Sequence, residues 1–221
     1  MSTNWDRARS IADAVLYEGY LLYPYRASSS KNQTRWQFGV LGPSGAADAG
    51  IGEDDSISAQ FLVEGADGIT LVVRFLQLQH RAAERDTGCR RYQQVDELTT
   101  PSGSWLSWDE AVEVELSFGP FDFTESSGQW TLPVTARSGT DVELVSGGRL
   151  VRTREDICAE LTVGVDRAGM KWDDGLSRVT VCVRNTTETN QHAGKDWAIA
   201  RSLIGTHVIA EVLGGEFISL L

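Results

Sequence analysis

The groups through which this chain of 221 residues could do acid–base, nucleophilic or metal chemistry are three histidines, three cysteines and 31 carboxylates. A protein metal site usually announces itself by two ligands two to four residues apart, which places both on one face of a strand or helix. His80, His192 and His207 have no second His or Cys at such a spacing. Cys89, Cys158 and Cys182 are odd in number and widely separated, so they form neither a Cys-x-x-Cys knuckle nor a disulfide framework. We therefore expect no metal and no cofactor. Cys158 and Cys182 lie in apolar alternations and read as small buried hydrophobes. Cys89 stands beside Arg90 and Arg91, charges that would favour its thiolate.

Nucleophilic and phosphate chemistry find less support. There is no Gly-x-Ser-x-Gly elbow and no Gly-x-x-x-x-Gly-Lys loop, and Gly147-Gly148 and Gly214-Gly215 read as turns. No catalytic residue is assigned. Carboxylates do pair in sequence, as Asp109-Glu110, Glu113 with Glu115, and Asp173-Asp174. Glycosidases use such pairs, but Glu113 and Glu115 fall on the polar face of a half-buried strand and Asp173-Asp174-Gly175 has the composition of a turn. Trp105, Trp108, Trp130 and Trp172 lie near expected loops and could form a sugar platform, although core and loop anchoring is the commoner role.

The block best suited to binding runs from Tyr17 to Asn32, and Trp36 follows it where the chain is expected to re-enter a strand. Together they supply Tyr17, Tyr20, Tyr23, Tyr25, Arg26, Lys31, Asn32 and Trp36, and Tyr and Arg are the types enriched at binding hot spots. We take these residues as candidate partner-docking positions. The alternative is purely structural, with the rings closing one end of the fold. A net charge of −11 without a basic stripe opposes contact with nucleic acid or anionic lipid.

The elements that must position these residues are mainly strands. Ala8, Ile11, Ala12, Val15 and Leu16 recur at helical spacing and predict one helix over 6–18, ended by Gly19 and Pro24. The tyrosines beyond it are expected to be extended. Trp36, Phe38 and Val40 alternate with polar residues as in a strand. Gly42 to Asp55 reads as a loop. Ser58 to Glu64 and Ile69 to Gln79, separated by Gly65-Ala-Asp-Gly68, predict a hairpin, and His207 to Val212 with Glu216 to Leu220 around Leu213-Gly-Gly215 predict a second. Ala82 to Trp108 is expected to be irregular. Further strands are expected at Ala111 to Phe118, Trp130 to Ala136, Asp141 to Val145, Cys158 to Asp166 and Ser177 to Arg184, with Pro133 marking an edge.

These patterns predict a mainly β protein: an antiparallel β-sandwich or open barrel with one N-terminal α-helix. Residues 1–41 would form a helix and aromatic segment packed on a β-rich domain over 56–221. A hydrophobic content of 41% supports a core without staples, and no apolar run reaches the roughly 20 residues of a membrane helix. With no secretion signal and unpaired cysteines, a cytoplasmic location is expected. The ending Phe217-Ile-Ser-Leu-Leu221 stops inside an apolar run, as expected of a piece of a longer protein.

Two blocks carry a family resemblance. Ala12-Asp-Ala-Val-Leu-Tyr-Glu-Gly-Tyr-Leu-Leu-Tyr-Pro-Tyr-Arg-Ala-Ser-Ser-Ser-Lys-Asn32, with Arg35-Trp-Gln-Phe-Gly-Val-Leu41, resembles the opening of uncharacterised proteins encoded beside actinobacterial-type nickel-iron hydrogenases. Ser202-Leu-Ile-Gly-Thr-His-Val-Ile-Ala-Glu-Val212 and Gly215-Glu-Phe-Ile-Ser-Leu220 are similar to a second block of that family. The resemblance implies a non-enzymatic accessory or interaction protein in hydrogenase maturation, assembly or regulation. Its partners would be hydrogenase subunits or maturation proteins. The competing expectations are a carbohydrate- or other ligand-binding β-sandwich, and a hydrolase of unrecognised type.

Overall fold

A computed structural model describes residues 4–18, 39–101, 103–123, 127–166, 175–190 and 192–219. The expected class is observed: antiparallel strands dominate, and among the described residues the one long helix, α1, spans Asn4–Glu18. The strands are β1 (Ser56–Gly88), β2 (Arg91–Val95), β3 (Glu97–Thr100), β4 (Gly103–Leu106), β5 (Trp108–Asp122), β6 (Ser127–Ala136), β7 (Gly139–Val145), β8 (Gly148–Arg154), β9 (Ile157–Asp166), β10 (Leu176–Asn185) and β11 (Ile204–Ile218). A short helix, α2 (Lys195–Ile199), precedes β11. No described helix is long and apolar enough to cross a membrane.

The spine is β1, a strand of 33 residues. Its first third pairs with β10, its middle with β11 and β5, and its last third with β8 and β2. Outward from it the order runs β10, β9, β6 in one direction and β8, β7 in the other. β6 lies at an edge, as Pro133 predicted, because a residue without an N–H cannot serve a second neighbour.

Both expected hairpins are overturned. Gly65 to Gly68 does not reverse the chain, and neither does Leu213 to Gly215: β1 and β11 run straight through, with Ala66 opposite Gly214 and Gly68 opposite Leu213. The register shifts there by one residue, as in a β-bulge. The glycines supply a matched kink. Gly65, Gly214 and Gly215 have φ of 62°, 68° and 49°, and any Cβ on Gly215 would fall on the Glu64 carbonyl oxygen. Glycine signals a positive φ and a close approach, and a paired bulge uses both as readily as a turn does.

Ala82 to Trp108 is also corrected, from irregular to β1's last third, β2, and the hairpin of β3 and β4. Its polar composition belongs to exposed strand faces. Leu98 and Trp105, paired across that hairpin, pack with Ala83 and Leu150 in a small apolar cluster. β8 was missed because Arg149, Arg152 and Arg154 obscure its alternation, yet these arginines lie at least half-buried beside Glu84, Glu110, Glu143 and Asp141. Neither Cys158 nor Cys182 is the buried hydrophobe its alternation predicts: Cys158 is exposed and Cys182 half-buried, since both point to the outer face of their strands while Ile157, Ala159, Val181 and Val183 point inward.

The kink turns β1 from one layer into another. Val63, Ile69, Leu71, Val73 and Phe75 of β1 share a core with Val134 of β6, Leu161 and Val163 of β9, and Val179 and Val181 of β10. One strand therefore serves both sides of a sandwich, which is how sheets turn corners. Gln77, buried on the same side, donates to the carbonyls of Arg137 (3.1 Å) and Glu155 (2.7 Å) and so ties down two inter-strand connections. Asn185 does likewise, donating to the carbonyls of Leu41 and Arg201, and Arg201 in turn reaches Glu155 at 2.7 Å.

Candidate functional site

The middle of β1 is buried on both faces, which explains the unbroken burial from Leu71 to Gln79. The face away from the sandwich core carries Val72, Arg74, Leu76 and Leu78, and α1 lies across it. Trp5, Ala8 and Ala12 of α1 pack on Val72 and Ile209. Leu16 packs with Val40, Leu76, Leu78 and Ile204. Ile11, expected on the buried face, is 68% exposed, because the burying stripe follows Ala8, Ala12 and Leu16 and leaves it on the other side. The Val15 side chain lies outside the described residues.

Between helix and sheet sits an ionic cluster. Arg74 is only 1% exposed and reaches Asp13 of α1 at 2.7 Å and Glu113 and Glu115 of β5 at 2.5 and 3.2 Å. Arg9 of α1 grips Glu115 with two bonds of 2.9 and 2.7 Å. Burial opposes the charge on Arg74, but hydrogen bonds to Glu113 and Asp13 outweigh it and hold its pKa above the ordinary value. His207 stands opposite Arg74 on β11 and donates from Nδ1 to the Gly205 carbonyl at 2.9 Å. The reading of Glu113 and Glu115 as a merely solvated face is corrected: they fasten α1 to the sheet through Arg74.

The two sequence blocks singled out above meet at this face. Ala12 and Leu16 come from the first, Ile204 and Ile209 from the second. The Leu203 amide donates to the Leu41 carbonyl, the Leu41 amide donates back to Leu203, and the Thr206 amide donates to Gly39. A Cβ on Gly39, whose φ is 62°, would stand 3.3 Å from Gly205 Cα, so the two backbones touch. Of the candidate docking residues, Tyr17 falls within α1 but its side chain is outside the described residues. Tyr20, Tyr23, Tyr25, Arg26, Lys31, Asn32 and Trp36 lie outside them altogether, as does the strand expected at Trp36 and Phe38. What is described is their anchorage: Leu16 before them and Val40 after them belong to one apolar cluster.

The other candidates are absorbed by the chain's own structure. Asp109 and Glu110 are neighbours in sequence but serve different partners. Asp109 accepts from His80 at 2.8 Å, while Glu110 accepts from Gln79, Arg81 and Arg152. Burial would raise the Glu110 pKa, but the Gln79 hydrogen bond and the Arg81 charge bring it below the usual carboxylate value. Trp105 packs in its apolar cluster, Trp108 lies under Arg81, and Trp130 rests on Phe121 with ring centroids 5.2 Å apart. Trp172 and the Asp173-Asp174 pair lie outside the described residues. Among those described, no three His, Cys, Asp or Glu side chains gather as metal ligands do.

The His80–Asp109 pair has a pH signature. The hydrogen bond to Asp109 outweighs burial and raises the His80 pKa above 6.5. The pair's contribution is therefore complete below the unfolded pKa of about 6.5 and is lost as pH rises through the folded value. Both groups are nearly half exposed, so the effect is below about 1 kcal/mol. Urea unfolding of wild type and Asp109→Asn at pH 5.5 and 8.5 should show a larger difference between the two proteins at the lower pH. A larger difference at pH 8.5 would contradict the assignment.

No protein-family model matches the chain, and neither a curated protein nor a solved structure matches it.

Proposed function

We propose that this domain is a non-enzymatic interaction module that presents the Tyr17–Trp36 segment to a partner protein, in accessory service to a nickel-iron hydrogenase. One observation carries the docking part: the residues flanking that segment, Leu16 and Val40, are packed into the same cluster on β1 and β11. A segment of aromatic and basic residues pinned at both ends loses less freedom on binding than a free tail, which favours affinity. The clamp between α1 and the sheet, Arg74 with Asp13, Glu113, Glu115 and Arg9, uses its charges to hold the platform. The hydrogenase context rests on the resemblance of the two blocks, and their meeting on one face supports reading them as one unit.

The experiment is affinity capture of the tagged chain from its native host, grown with and without hydrogenase induction. Recovery of hydrogenase subunits or maturation proteins under induction is the expected result. Capture of a partner set unrelated to hydrogenase would remove that context while leaving the docking segment to be tested separately.

A further inference from the structure

The two edges of the main sheet differ. β6 carries Pro133, and proline is a common device against unwanted strand pairing. β7 carries neither proline, lysine nor a bulge, and among the described residues it pairs only with β8. Its alternation sorts two chemistries: Val142 and Leu144 are 53% and 75% exposed on one side, and Asp141 and Glu143 lie on the other. Arg154 and Arg152 each make one contact to these carboxylates, at 2.8 and 2.9 Å, and both acids remain about half exposed or more.

We propose that β7 is a strand-addition site for an extended segment of another protein in which apolar residues alternate with lysine or arginine. Main-chain bonds would extend the sheet, apolar residues would cover Val142 and Leu144, and basic residues would pair with Asp141 and Glu143. A second copy fits poorly. Antiparallel self-pairing centred on Val142 would set Asp141 against Glu143 of the other molecule, and cross-strand like charges destabilise. The net charge of −11 adds to that repulsion.

The test is an NMR amide titration of the whole chain with a capped heptapeptide alternating valine and lysine. Controls are its valine–glutamate counterpart and a scrambled peptide with the lysines clustered. Shifts concentrated in residues 139–145, with affinity at least tenfold above both controls, are expected. Val142→Lys with Leu144→Lys should weaken binding at least tenfold and leave amides outside β7 and β8 unchanged. Variants in the Tyr17–Trp36 segment should bind the peptide normally, which separates this site from the proposed docking segment. Shifts scattered over the surface, equal binding of a control peptide, or a sedimenting dimer abolished by the β7 variant would each overturn the proposal.

Discussion

Replacing Arg74 with alanine should destabilise the protein by about 3–5 kcal/mol, the cost of breaking a buried ionic group by removing one member. The mutation leaves Asp13, Glu113 and Glu115 around an unfilled space beneath α1, and it also removes an aliphatic stem packed in the sheet face. At about 2–4 °C per kcal/mol for a chain of this size, the melting temperature should fall by roughly 10 °C. Glu113→Gln with Glu115→Gln should also destabilise, because the guanidinium keeps only Asp13 as a charged partner. Arg74→Met restores volume without charge and should recover part of the loss. Urea denaturation of the three variants checks this, and a change below about 1 kcal/mol for Arg74→Ala would contradict the clamp.

Gly215→Val should have a comparable effect, at least about 3 kcal/mol, by combining two costs. The backbone there has a φ of 49°, which a β-branched residue resists, and its Cβ would meet the Glu64 carbonyl oxygen across the kink. Gly147→Ala is the control. Gly147 also has a positive φ, 75°, but nothing lies within 4 Å of its would-be Cβ, so only the backbone cost of about 1 kcal/mol applies. Equal losses at the two positions would show that the β1–β11 contact contributes little.

The fold class was legible because its signals are local. Alternation in Val112, Val114 and Leu116, or in Leu161, Val163 and Val165, depends only on which face is buried. The path of β1 was not legible, since Gly65 to Gly68 has the composition of a turn and only the opposing Leu213 to Gly215 shows that it is a bulge. Long-range partners decide such cases. The same limit hid β8 and the role of Glu113 and Glu115: a charged residue reads as solvent-facing until Arg74, distant in sequence, is placed beside it. For the candidate site, sequence indicated the Tyr17–Trp36 segment and the Ser202–Val212 block separately. That Ala12 meets Ile209 and Leu16 meets Ile204 follows from the crossing of α1 over β11, which no local pattern specifies.

The crossing of α1 over β11 forms a packed platform, and the segment between Leu16 and Val40 is proposed to carry the partner contact. Tyr23→Ala with Arg26→Ala tests it most directly, measured as affinity for a captured partner alongside thermal melting. An unchanged melting temperature and a loss of about 2 kcal/mol or more in binding are expected, roughly thirtyfold in Kd. A variant that melts as wild type and binds its partner with unchanged affinity would contradict it, and one that unfolds would show the segment to be structural.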